Sequence, residues 1–181
     1  MVIGLTGHRS GIGKALFDKL STAHRVLGFS KSDGYDISDL DHQKKIIEQI
    51  SSECDVFINN AYSTENRTAQ LFLLKEIYKK WKSSPKLIIV NTSLLPTFKK
   101  WNEIDGNLTA YVESKQLLID ECERLMFEKD RLCRVVNMKL GFVNTPLTEK
   151  FNIEKLDTAA VIPYFEQVLK DPFIHEMTIK L

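Results

Sequence analysis

The sequence predicts an α/β fold, a mainly parallel sheet with helices on both faces. Three observations predict it. Strand-like and helix-like segments alternate from end to end. A glycine-rich turn, Thr6-Gly7-His8-Arg9-Ser10-Gly11-Ile12-Gly13, joins the first apolar run to the first helix. No linker, repeat or low-complexity stretch divides the chain, so residues 1–181 form one domain, long enough for a real core.

The elements follow in order. Residues 1–5 are an apolar run that reads as a buried strand, and Lys14-Ala15-Leu16-Phe17 opens a helix. Residues 25–29 are a second strand, and Tyr35-Asp36-Ile37 a very short third. Ser38 and Asp39 offer N-cap oxygens to a helix whose apolar face carries Leu40, Ile46, Ile47 and Ile50. Residues 55–59 form a strand, 68–82 a helix with Leu71, Leu74, Ile77, Tyr78 and Trp81 at helical spacing, and 86–90 the clearest central strand. A long helix over 108–128, a strand over 133–137, a helix over 158–169 and a last strand over 176–181 complete the alternation.

Composition excludes several classes. A net charge of +1 gives no reason to expect nucleic acid or an acidic membrane as partner. Lys79-Lys80-Trp81-Lys82 reads as the polar end of an amphipathic helix, not as a basic stripe with interleaved aromatics. No apolar run approaches bilayer-spanning length, and the first strand leaves no room for a cleavable signal peptide. Cys54, Cys122 and Cys133 lack metal-site spacing and read as structural thiols of a reducing compartment, the cytoplasm by default, so no metal is expected.

A glycine-rich turn between strand and helix suits a dinucleotide pyrophosphate: backbone N–H groups point at the phosphate, and the helix N-terminus favours its charge. Gly7 allows the tight turn, Gly11 the approach of pyrophosphate, and Gly13 close packing of the helix, with Ser10 and Ile12 between them. Four further features end strands or open helices: Asn59-Asn60-Ala61, Asn91-Thr92-Ser93, Tyr111-Val112-Glu113-Ser114-Lys115 and Gly141-Phe142-Val143-Asn144-Thr145-Pro146. Ligands of open parallel sheets bind outside the carboxyl ends of the strands, so all of these gather on one edge. Tyr111 and Lys115 share a helix face. An ammonium there favours the phenolate and lowers the tyrosine pKa, suiting the phenol to exchange a proton with a carbonyl oxygen. The alternative is a core tyrosine beside a solvated lysine.

In this order the motifs resemble those of the short-chain dehydrogenase/reductase family, over residues 6–145. The resemblance implies a Rossmann-like fold, a doubly wound parallel sheet of about seven strands in a three-layer sandwich, together with a nicotinamide cofactor and a small-molecule carbonyl or alcohol substrate. Tyr111 would be the acid/base and Lys115 its tuner and ribose anchor. Ser93 would orient the substrate after a one-residue shift, since strict alignment on Asn91 places Leu94 there, or else it caps the strand end. A loop with Trp101, Asp105 and Gly106 absorbs the extra length before Tyr111. Asn66 is the candidate fourth member, placing a water for proton relay, or else an N-terminal cap. Asn60 and Ala61 would lie along the cofactor, Asp36 and Ile37 beside adenine, and Val143 and Thr145 at the carboxamide.

The second strand ends Phe29-Ser30-Lys31-Ser32, with no acid until Asp33. Arg9 and Lys31, with Ser30 and Ser32, suit a 2′-phosphate, which favours NADP(H) over NAD(H). The chain departs from the family pattern in being short, in carrying Tyr62 after Asn59-Asn60-Ala61, and in having only 147–157 between the cofactor segment and the next helix. The pocket is therefore open or closed by a partner subunit. Phe98, Trp101, Phe142 and Phe151 are candidate pocket walls. A homodimer is expected; Leu117, Leu118, Met126 and Phe127 either supply its apolar area or face their own sheet, as some of them must. Two functions compete: an NADP(H)-dependent carbonyl/alcohol oxidoreductase, and a catalytically weak or inactive dinucleotide-binding regulator or scaffold.

Overall fold

The structure, a computed structural model, describes residues 1–98 and 108–181. Trp101, Asp105 and Gly106 lie outside the described residues. The elements run β1 (Val2–Thr6), α1 (Gly11–Leu20), β2 (Arg25–Phe29), α2 (Leu40–Glu53), β3 (Val56–Asn59), α3 (Ala69–Trp81), β4 (Leu87–Asn91), α4 (Thr109–Met126), β5 (Arg134–Leu140), α5 (Thr158–Lys170) and β6 (Glu176–Ile179). The six strands form one sheet in the order β2-β1-β3-β4-β5-β6, and every pairing is parallel.

The strands are read correctly except for one. Tyr35-Asp36-Ile37 is not a strand, so the sheet has six members and β2 is its edge. The segment has better uses for its polar groups. Residues Lys31–Asp33 make a short 3-10 turn closed by Gly34 at φ 80°. The Asp36 carboxylate then accepts from Ser38 N at 2.8 Å and Ser38 Oγ at 2.7 Å. Such local side-chain bonds compete with a ladder. At the other end of this loop Asp39 caps α2, accepting from Asp41 N and His42 N, while Ser38 turns to Asp36 instead.

Apolar side chains of the sheet divide between two cores. One holds Phe57, Ile88 and Val135 against α2, α3 and α4. The other holds Ile3, Ile58 and Val136 against α1 and α5. Leu118 is 1% exposed and serves its own sheet, Met126 is partly buried against the first core, and Leu117 and Phe127 are exposed. No described helix is long and apolar enough to cross a membrane. The three cysteines are free and buried.

The chain leaves β1 and β3 in opposite directions across the sheet, towards β2 and β4, which opens a crevice at their carboxyl ends. That crevice positions the site.

Candidate active site

The turn after β1 is built for close approach. Gly7 and Gly11 have φ of 75° and 51°, values that side chains beyond glycine rarely adopt. A Cβ on Gly13 would stand 2.1 Å from the Gly7 carbonyl oxygen. Thr6 ties this turn to β3: its hydroxyl accepts from Asn60 N and Ala61 N, both at 3.0 Å. Asn60 continues the tie, donating from Nδ2 to Thr6 O at 3.0 Å and accepting from Asn91 Nδ2 at 2.7 Å. The ends of β1, β3 and β4 are thereby locked together.

Two adjoining cavities, ≈ 270 and ≈ 420 Å³, share Gly7, Ser10 and Ala61 and form a groove along this edge. Gly11, Ile12, Asn60, Lys115, Val143 and Thr145 line its inner part. Arg9, Ser30, Lys31, Ser32, Asp36 and Ile37 line its outer part. Every expected cofactor residue is thus on the groove, save Gly13, which packs beneath the turn. The groove suits a dinucleotide: its glycines leave room beside the backbone, and the buried Asn91 Oδ1 has no partner among the described residues.

The outer part holds an ion-pair arrangement that sequence reading missed. Arg9 grips Asp33 with Nη2 at 2.8 Å and Nε at 2.9 Å. Lys31 pairs with Asp36 at 2.8 Å and with Glu65 at 3.0 Å. His8 lies under the turn, with Nδ1 3.0 Å from Ser30 Oγ and Nε2 3.3 Å from Asp33. Burial holds its imidazole below the ordinary range, against the pull of Asp33. Gly28 makes this possible, because a Cβ there would meet the His8 ring at 2.4 Å. Burial also raises the Asp36 carboxyl, but the Lys31 and Ser38 hydrogen bonds outweigh it and hold Asp36 at about 2.

At the inner end Tyr111 stands between two spaces. It borders the groove, and it borders a separate cavity of ≈ 210 Å³ lined by Ser93, Phe98, Phe142 and Phe151. Its ring meets Tyr62 edge-on at 5.0 Å, so Tyr62 fills space beside the groove. Burial pushes the Tyr111 phenol up to about 12, although a hydrogen bond from Ser93 lowers it. Ser93 also accepts from Leu95 N at 3.1 Å, which fixes its hydroxyl.

Lys115 is 4% exposed. Its ammonium donates to Gln70 Oε1 at 2.7 Å and Asn91 O at 3.0 Å, and lies 5.7 Å from the Tyr111 ring centroid. Burial pulls Lys115 down to about 7. The expected lowering of the tyrosine pKa by this lysine is therefore not what this geometry gives. Burial dominates both groups, and the lysine is drawn to Gln70 and a main-chain carbonyl.

Gln70 was missed by sequence reading. It is 4% exposed and also donates from Nε2 to Asn59 O at 2.7 Å and Asn91 O at 3.0 Å. The available signal was a polar residue on the apolar stripe that continues through Leu73, Leu74 and Ile77. Asn66 precedes α3, and its Oδ1 accepts from Thr68 N at 3.2 Å and Thr68 Oγ1 at 3.0 Å. It borders neither the groove nor the cavity beside Tyr111.

No protein-family model matches the sequence, and no curated protein matches it. Solved structures do. A short-chain dehydrogenase from Burkholderia cenocepacia, in complex with NADP, superposes with a TM-score of 0.84 at 16% identity, covering 99% of this chain and 88% of that one. The 3-alpha-hydroxysteroid dehydrogenase from Pseudomonas, complexed with NADH, gives 0.78 at 18% identity, with 99% and 95% covered. The 3-ketoacyl-(acyl-carrier-protein) reductase from Brucella melitensis, complexed with NADH, gives 0.79 at 16% identity, with 98% and 96% covered. The chain has the Rossmann-like fold of the short-chain dehydrogenases/reductases.

Proposed function

We propose that the protein is a nicotinamide-dependent oxidoreductase of the short-chain dehydrogenase/reductase type, reducing a carbonyl or oxidising an alcohol. The observation that carries this reading is Tyr111, bordering at once the dinucleotide-shaped groove and an apolar cavity, with Ser93 on its hydroxyl. The reduced nicotinamide would supply the hydride. Tyr111, protonated below about 12, gives its proton to the carbonyl oxygen, and Ser93 orients that oxygen. Lys115 anchors the ribose and, when charged, steadies the phenolate left behind. Gln70 is a positioning residue that holds Lys115, while Asn66 closes an Asx turn onto Thr68 ahead of α3.

NADP(H) is the favoured cofactor, since Arg9 and Lys31 both line the outer groove beside Ser30 and Ser32. A 2′-phosphate would compete with Asp33 for Arg9 and with Asp36 and Glu65 for Lys31. Those three carboxylates favour NAD(H) as the alternative. A homodimer through α4 rests on exposed Leu117 and Phe127.

A binding-only regulator is the second reading. It is favoured by burial, which holds the tyrosine pKa high, and by the lysine's engagement with Gln70 and Asn91. Titration with NADPH and NADH, followed by carbonyl reduction in wild type and Tyr111→Phe, separates the two. The enzyme reading expects Tyr111→Phe to lose about 10²–10⁴ in turnover, the usual worth of general acid catalysis, with dinucleotide affinity kept. Tight binding without turnover in the wild type supports the regulator. Binding of neither nucleotide defeats both.

A further inference from the structure

We infer that the substrate carries an anionic group, a carboxylate, separated from its carbonyl by an apolar body; this rests on the oxidoreductase reading of Tyr111.

The cavity beside Tyr111 is lined by three kinds of group. Tyr111 and Ser93, the groups for a carbonyl oxygen, are hydrogen-bonded to each other. Leu95, Leu108, Phe142 and Phe151 give an apolar wall, and the last two rings meet edge-on at 5.6 Å. The charged lining residues are Arg67 and Lys150, and no aspartate or glutamate joins them among the described residues. A cavity lined by a tyrosine–serine pair for an oxygen, by an apolar wall and by an arginine fits an apolar molecule ending in an anion.

Arg67 is the telling residue. The chain has six arginines. Arg9, Arg25 and Arg124 pair with carboxylates, and Arg131 and Arg134 donate to main-chain carbonyls. Among the described residues, Arg67 alone has no such partner. It is exposed, and its place at the cavity leaves the guanidinium fork open to an incoming carboxylate. The reaction balances without further reactants: hydride adds to the carbonyl carbon, the oxygen takes the Tyr111 proton, the ketone becomes an alcohol and the nicotinamide is oxidised. The carboxylate takes no part in these bonds.

The test compares para-acetylbenzoate, para-acetylphenylacetate and the longer para-acetylphenylpropanoate with their uncharged amides, in wild type, Arg67→Met and Arg67→Lys. Both kcat/KM and equilibrium binding by calorimetry are measured. At least one acid should exceed its amide by about tenfold in kcat/KM, the worth of one charge-assisted contact, chiefly through KM. Arg67→Met should bring the acid-to-amide ratio near one, Arg67→Lys should restore part of it, and added salt should shrink it. Equal rates for acids and amides, or a ratio unmoved by Arg67→Met, overturn the inference and leave the oxidoreductase reading intact. Arg67-dependent binding of the acids without turnover of any ketone upholds the anion site and defeats the oxidoreductase reading. Absence of both turnover and acid binding defeats both.

Discussion

Gln70 occupies a position that decides the charge on Lys115. Its amide oxygen accepts from the buried ammonium but brings no negative charge, so burial prevails and the lysine titrates near 7. A carboxylate in the same place favours the ammonium. Gln70→Glu should therefore move the Lys115 limb of the kcat/KM pH profile to higher pH. A purely structural Gln70 would lower activity without moving that limb. Tyr111 and Lys115 were legible because residues four apart on a helix share a face whatever surrounds them. Their partner was not, because Gln70 and Lys115 meet only after α3 and α4 pack side by side.

The turns after β1 and β2 act as one element. The glycine turn was legible residue by residue, and Gly13→Ala is expected to cost about 1–3 kcal/mol, as overpacking does, together with dinucleotide binding. Chemical denaturation and a nucleotide titration would check both. Gly28 read as an ordinary strand residue, yet it makes room for the His8 ring. Through His8, Ser30 and Asp33 the two turns share one set of side chains. Asp33→Ala should free Arg9 and raise the NADPH-to-NADH affinity ratio about tenfold, and Arg9→Ala should lower it. Asp36 adds an acid-sensitive contact. Its folded value is about 2 against an ordinary 3.8, so its stabilisation is full above the ordinary range and is lost as pH falls towards 2. Asp36→Asn should remove about 1–2 kcal/mol of that acid dependence, read from unfolding curves at neutral and acid pH.

For the whole molecule, the six-stranded parallel sheet with its two cores brings the ends of β1, β3, β4 and β5 to one edge, where groove and cavity meet at Tyr111. Leu117 and Phe127 leave apolar area on the outside of α4. If they join two copies, Leu117→Asp should shift the protein to monomer in sedimentation equilibrium. The sequence by itself determined the order of strands and helices, the glycine turn and the gathering of Asn60, Asn91, Tyr111 and Thr145 at the strand ends. Each rests on a local period or on the rule that such sheets bind ligands at one edge. Only the tertiary structure decided that residues 35–37 form no strand, that Arg9 and Lys31 are held by carboxylates, that Gln70 grips Lys115, and that Arg67 has no partner among the described residues. These are pairings between residues 24 to 45 positions apart, or preferences of a side chain among competing partners. Periodicity carries no record of which distant side chains meet, since that depends on how the packed faces register.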